Sequence, residues 1–176
     1  HLYNAPSILI WVPFNESWGQ FGAARIGRQV KAQDHTRLVD DASGWYDQGT
    51  GDFASRHTYF AKLKKPPRGD RRVHFISEYG GYNLQTRDHL WDETSKFGYE
   101  AFDDRESLEV AYQQLIRTQL VPLISMGLSA AVYTQLSDVE IESNGFYTYD
   151  RKVAKIEADV VKRLNDEIYA VFKKEE

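Results

Sequence analysis

The sequence predicts an α/β fold with a mostly parallel sheet. Apolar runs at 7–14 (SILIWVPF) and 128–133 (LSAAVY) are almost unbroken, the composition of strands buried on both faces. Residues 104–126 and 152–173 instead place apolar side chains at helical spacing. Runs and stripes alternate along the chain, which is the pattern of strands joined by crossover helices.

Each element has its own signal. Pro6 and the polar residues after Phe14 bound the first run. Residues 17–33 follow with Phe21, Ala24, Ile26 and Val30 at loosely helical spacing. Residues 37–41 (RLVDD) read as a short second strand, 57–60 (HTYF) as a weak third and 73–78 (VHFISE) as a clear fourth. Leu108, Tyr112, Leu115, Ile116, Leu120, Leu123 and Ile124 form one stripe on the helix at 104–126. Asp103 or Asp104 caps its start, Gly127 ends it, and Pro122 should kink it near the end. Residues 128–133 are the fifth strand. Val153, Ile156, Val160, Leu164, Ile168 and Phe172 share one face of the last helix. The stretch KLKKPPRGDRR (62–72) reads as a solvated loop, and the Arg68-Gly69-Asp70 inside it as a chance tripeptide.

Composition narrows the function. The chain has 176 residues, a net charge of −4 and no cysteine. That length suits one domain, or part of a larger one, and buries a core without staples. The absence of cysteine excludes disulfide scaffolds and Cys-ligated metal sites. The acidic balance argues against a nucleic-acid partner, and no run is long enough to span a bilayer. No signal peptide is visible, and the missing initiator Met suggests a chain whose true N-terminus lies further upstream. No cofactor and no metal site are expected: Asp34-His35 and Asp40-Asp41 read as loop and helix-end residues rather than cation ligands. Aromatics make up 14% of the chain, a share that suits a core and also a surface that stacks on sugars.

In parallel α/β folds, ligands gather at the carboxyl ends of strands. The first run ends in Asn15-Glu16 and the second in Asp40-Asp41, followed by Ser43-Gly44-Trp45. The third carries His57 and Tyr59, the fourth ends in Glu78-Tyr79-Gly80-Gly81, and the fifth in Tyr133-Thr134-Gln135. Glu16 and Glu78 thus close two separate strands. A pair of carboxylates is what glycoside hydrolysis requires, one as general acid and the other as nucleophile or base.

The strings around these residues carry a resemblance. NAPSILIWVPFNESWG (4–19) resembles the acid/base segment of glycoside hydrolase family 2, with Ala5 where the family usually has His. FISEYGG (75–81) looks like that family's nucleophile strand. DVEIESNGFYTYDRK (138–152) is similar to the stretch after its last barrel strand. The three segments occur in family order across almost the whole chain.

The resemblance implies an incomplete TIM (β/α)8 barrel. The runs at 7–14, 37–41, 57–60, 73–78 and 128–133 would be strands four to eight. The first three strands and the family's N-terminal β-sandwich domains would be absent, in line with a full barrel's need for about 250 residues. Open edges at strands four and eight would invite self-association. The isolated chain is then expected to be inactive or nearly so.

The resemblance also implies roles. Glu16 would be the acid/base and Glu78 the nucleophile of a retaining enzyme, with carboxylates about 5–5.5 Å apart. Asn15 would bond the sugar 2-hydroxyl, and Tyr59 would donate to Glu78. His57 would bind sugar hydroxyls or satisfy a loop. Trp45 and Trp91 are candidate stacking walls, and residues 82–103 would cover one side of the site. Tyr133 stands where many members carry Trp. Glucuronide-cleaving members use a Lys near 142–146, where this chain has Glu142-Ser143-Asn144-Gly145. A neutral β-glycoside, above all a β-galactoside, is therefore the expected substrate. The competing expectation is a carbohydrate-binding or assembly module without catalysis.

Overall fold

The computed structural model describes residues 1–175 apart from Trp18 and Lys96. Trp18, in the first of the three motifs, therefore lies outside the described residues.

Among the described residues, the strands form two small parallel sheets, one of two strands and one of three. The first pairs β1 (Ile10–Trp11) with β2 (Leu38–Val39), Ile10 opposite Leu38 and Trp11 opposite Val39. The second holds β3 (Phe53–Thr58), β4 (Val73–Gly80) and β5 (Leu128–Thr134) in that order. This corrects the expected incomplete TIM (β/α)8 barrel: the five runs are not strands four to eight with their helices.

Three local causes are visible. The free edge of β2 is closed by one residue. Val39 N–H donates to the Asp52 carboxylate at 2.8 Å, and Val39 C=O accepts from Asp52 N–H at 2.8 Å, so both groups that would extend the ladder are used up. Next, β3 and β4 are joined without a helix, because 61–72 contains Pro66, Pro67, Gly69 and six basic residues but no apolar stripe. Finally, the run at 7–14 is not buried on both faces. Leu9 is 73% and Val12 50% exposed, and Pro13 has no N–H to give a ladder.

The helices follow the sequence more closely. α1 (Ala23–Gln33) is shorter than the expected 17–33, starting after Gly22 in a left-handed conformation. The segment at 104–126 is helical, and all seven residues of its stripe are buried. It consists of α2 (Arg105–Gln114), a π-helical turn at Leu115–Leu120, and α3 (Val121–Ile124). Asp104 caps it, its side chain accepting from Ser107 N–H at 2.7 Å. The wide turn sits just before Pro122, where Val121 N–H reaches back to Ile116 C=O. Pro122 offers no N–H and crowds the carbonyl four residues earlier, so the helix accommodates it by widening. Gly127, at φ +99°, ends the segment. α4 (Ala158–Glu175) starts later than the expected 152, so Val153 and Ile156 precede it rather than share its face; it packs against α3 and buries Val160 and Leu164.

The chain divides into two compact units. The first comprises 1–57, 66–77 and 128–131; the second comprises 58–65, 78–127 and 132–176. The first has its core in Ala23, Val39, Ala42, Phe53, Ala54, Phe75, Ile76 and Leu128. Arg37 ties its N-terminal segment down, donating to the carbonyls of Tyr3, Ala5 and Ile8 and to Asp34. Arg72 does the same for the loops, bonding Asp47, Asp70 and the carbonyls of Thr50 and Phe53. Asp70 of the Arg-Gly-Asp tripeptide is thereby held in an ion pair. The second unit is cored by Tyr79, Tyr82, Leu84, the helical stripe, Ile156, Val160 and Leu164. Among the described residues, no helix is long and apolar enough to cross a membrane.

Candidate functional site

In the first unit, Glu16 follows the irregular segment after β1. Its N–H donates to Ser43 C=O at 3.1 Å, and Ser43 N–H donates to Phe14 C=O at 3.0 Å. These two bonds continue the β1–β2 pairing loosely past the sheet and fix the backbone at Glu16. Its carboxylate meets His57 Nδ1 at 2.7 Å, and its side chain is 23% exposed against 0% for the imidazole. The other ring nitrogen of His57 lies 3.1 Å from Ser43 Oγ. Both nitrogens therefore have partners within the chain, which gives His57 the work of orienting Glu16. Gly44 makes room for the ring: at φ +94°, a Cβ there would lie 2.7 Å from the imidazole. Trp45 is 46% exposed, with its ring 6.4 Å from that of His57, and Asn15 is exposed.

Behind His57 lies a polar cluster whose roles the sequence did not reveal. Ser43 Oγ donates to Ser77 Oγ at 3.1 Å, and Ser77 Oγ also bonds Ser55 Oγ. Asp40 is fully buried beside them, and neither carboxylate oxygen has a partner at hydrogen-bond distance. The hydroxyls of Ser55 and Ser43 lie close enough to favour its anion, and so does His57. Burial, helped by the charge of Asp41, outweighs them and raises the carboxyl to about 6. The alternation of Ser55 and His57 on one face of β3 was the available signal.

Asp40 makes stability depend on pH. The folded state holds the Asp40 proton up to about pH 6, whereas the ordinary value is 3.8. Between those values the folded chain binds more protons than the unfolded chain. This contribution to stability is therefore fully present below pH 3.8 and is lost as pH rises through 6. Asp40→Asn should remove the loss and stabilise the chain above pH 6 by roughly 2–3 kcal/mol. Urea unfolding at pH 4, 5, 6 and 7 reads this directly, as a wild-type minus variant difference that grows with pH.

In the second unit, Glu78 sits near the end of β4. The Tyr59 hydroxyl donates to its carboxylate and lies 3.2 Å from Thr134 Oγ1. Burial, and then the bond to Glu78, push the Tyr59 phenol well above its ordinary range, so it remains a donor. Tyr99, from the long connection at 82–103, stacks flat on Tyr59 with ring centroids 3.8 Å apart. Phe60 meets Tyr99 edge-on at 5.2 Å and is 82% exposed. Tyr59, Phe60, Lys62, Tyr99, Glu100 and Gln119 border a cavity of about 440 Å³. The sequence offers Tyr99 only as one aromatic, with Trp91 and Phe97, of the long connection at 82–103; its stack on Tyr59 was not legible.

The remaining candidates have other surroundings. Tyr133 stacks on Phe146 at 4.6 Å and meets Tyr79 and Tyr112 edge-on, so its ring is part of an aromatic cluster. Trp91 is 58% exposed and packs on Tyr149. After β5, Gln135 Nε2 donates to the buried Asn144 Oδ1 at 2.6 Å and to Glu142 at 3.3 Å. Gly145 is required there, since a Cβ would come within 2.2 Å of the Ser137 backbone.

A scan against protein-family models gave no match, and a search of curated proteins gave none at a significant level.

Proposed function

We propose that these residues are the machinery of a retaining β-glycoside hydrolase, with Glu78 as nucleophile and Glu16 as acid/base. The observation that carries this reading is the bond from the Tyr59 hydroxyl to Glu78. A donated O–H favours the carboxylate anion over the acid, and an anion is what a nucleophile must be. The Glu16–His57 pair supports the second role, because the bond to the buried imidazole fixes the orientation of the Glu16 carboxyl.

In the first step a Glu78 oxygen bonds the anomeric carbon. The glycosidic oxygen leaves with its electron pair and takes a proton from Glu16. In the second step Glu16 accepts a proton from water, the water oxygen bonds the anomeric carbon, and Glu78 leaves as the carboxylate. A neutral sugar, a β-galactoside first, fits the local charge, since Glu142 would repel a uronate.

The test is hydrolysis of aryl β-galactoside, glucoside, mannoside and glucuronide by the longest form in which this chain occurs. Turnover of a neutral glycoside with retained anomeric configuration is the expected outcome. Binding without turnover would favour a carbohydrate-binding module, and inversion of configuration would exclude Glu78 as nucleophile.

A further inference from the structure

The cavity of about 440 Å³ in the second unit lies beside the loop at 58–65, and Glu78 does not border it. Leu63 N–H donates to Gln119 Oε1 at 3.0 Å, which pins that loop to the π-helical turn and fixes one wall. The pin uses only the amide oxygen of Gln119; its Nε2 has no partner among the described residues. The Lys62 ammonium and the Glu100 carboxylate border the same cavity, and neither has a hydrogen bond or ion pair among the described residues. Phe60 supplies the apolar surface. It is 82% exposed, and Tyr99 meets it only edge-on. Tyr59 and Tyr99 already cover each other, so the open aromatic face at this cavity is that of Phe60. We propose that the cavity is a second saccharide site, separate from Glu78, which takes a neutral mono- or disaccharide unit.

The chemistry of a sugar ring matches these groups. A pyranose has a face of C–H groups and a rim of hydroxyls that both donate and accept. Phe60 suits the face. Lys62 and Gln119 Nε2 donate to hydroxyls, and Glu100 accepts from them. The volume falls in the lower part of the range for small-molecule sites, roughly 300–1,000 Å³. Charge selects among ligands. Lys62 and Glu100 contribute one charge of each sign, so neither an anionic nor a cationic sugar gains on balance. A planar aromatic ligand gains most between two parallel rings, and here only one ring is open. Using the site to hold a longer substrate rests on the hydrolase reading; binding itself does not.

Amide NMR of the whole nitrogen-labelled chain tests the site, titrated with methyl β-thiogalactoside and a thio-linked cellobiose, which resist hydrolysis. Glucuronate and phenol serve as charged and planar comparators. The expected result is saturable, millimolar binding of at least one neutral sugar, with shifts at the Phe60 and Leu63 amides and the Gln119 side-chain amide. Phe60→Ala changes an exposed ring and should weaken that binding by about tenfold or more. Phe60→Trp should keep it, and so should Glu78→Gln. No shift at these three positions with either sugar would overturn the site, as would a stronger response to phenol or glucuronate. Sugar shifts that Phe60→Ala leaves in place and Glu78→Gln abolishes would also overturn it, while leaving the hydrolase reading intact. Binding that follows Phe60, in a chain whose longest form turns over no glycoside, would end the hydrolase reading and leave the site standing.

Discussion

Glu78→Gln should lower glycoside turnover by on the order of 10⁴-fold or more, the scale seen when a nucleophile is removed. The amide keeps the shape of the side chain and still accepts from the Tyr59 hydroxyl, so binding should change little. The loss should therefore fall on kcat and leave KM near its original value. The neighbouring contact makes a second comparison informative. Tyr59→Phe removes the O–H that meets Glu78 and Thr134 but leaves the stack on Tyr99 in place. It should cost less than Glu78→Gln, because it weakens the anion without deleting the group that forms the bond. Equal effects of the two substitutions would mean that Tyr59 itself reacts.

Lys155→Met should be the most damaging single change to stability, at about 3–5 kcal/mol. Lys155 Nζ is buried, 2.6 Å from Asp138 Oδ1 and 2.9 Å from Ser143 C=O. Asp138 also accepts from Gly145 N–H at 2.8 Å, while its other oxygen has no partner. Burial pushes Asp138 up and Lys155 down, and their mutual bond opposes both shifts. Removing only the lysine strands a buried carboxylate next to the tight turn at Gly145. Asp138→Leu combined with Lys155→Met strands no charge, leaving only the Gly145 N–H and the Ser143 carbonyl without these partners. The double variant should therefore be more stable than Lys155→Met alone. Chemical denaturation of the two variants checks this, and a double variant as unstable as the single one would contradict it.

The sequence made the helices legible and the sheet only in part. The seven apolar residues from Leu108 to Ile124 declared one face, and that face is buried. Asp104, Pro122 and Gly127 act at the positions their chemistry implies. The barrel expectation failed because strand signals are blind to what an edge pairs with. Nothing in RLVDD shows that Asp52, more than ten residues later, will take both backbone groups of Val39. Nothing in SILIWVPF shows that Leu9 and Val12 will face outward.

The site divides along the same line. Glu16, Glu78, His57 and Tyr59 stood out because each follows or ends an apolar run. Ser55 and Ser77 did not, because a serine in a strand carries no signal until its partners are known, and Tyr99 was legible only as one aromatic of a long connection. Asp40 read as one acid of a pair; only its burial without a partner sets it apart.

The central claim is that Glu78 forms a bond to sugar. The most direct measurement is trapping with an activated 2-deoxy-2-fluoro-β-galactoside, followed by proteolysis and mass mapping of the labelled peptide. The fluorine slows the second step more than it slows a good leaving group, so the ester accumulates. The account predicts one sugar attached to the peptide that contains Glu78, and none in Glu78→Gln. A label on Glu16 or any other residue would contradict it, as would the absence of label in a form that turns over the parent glycoside.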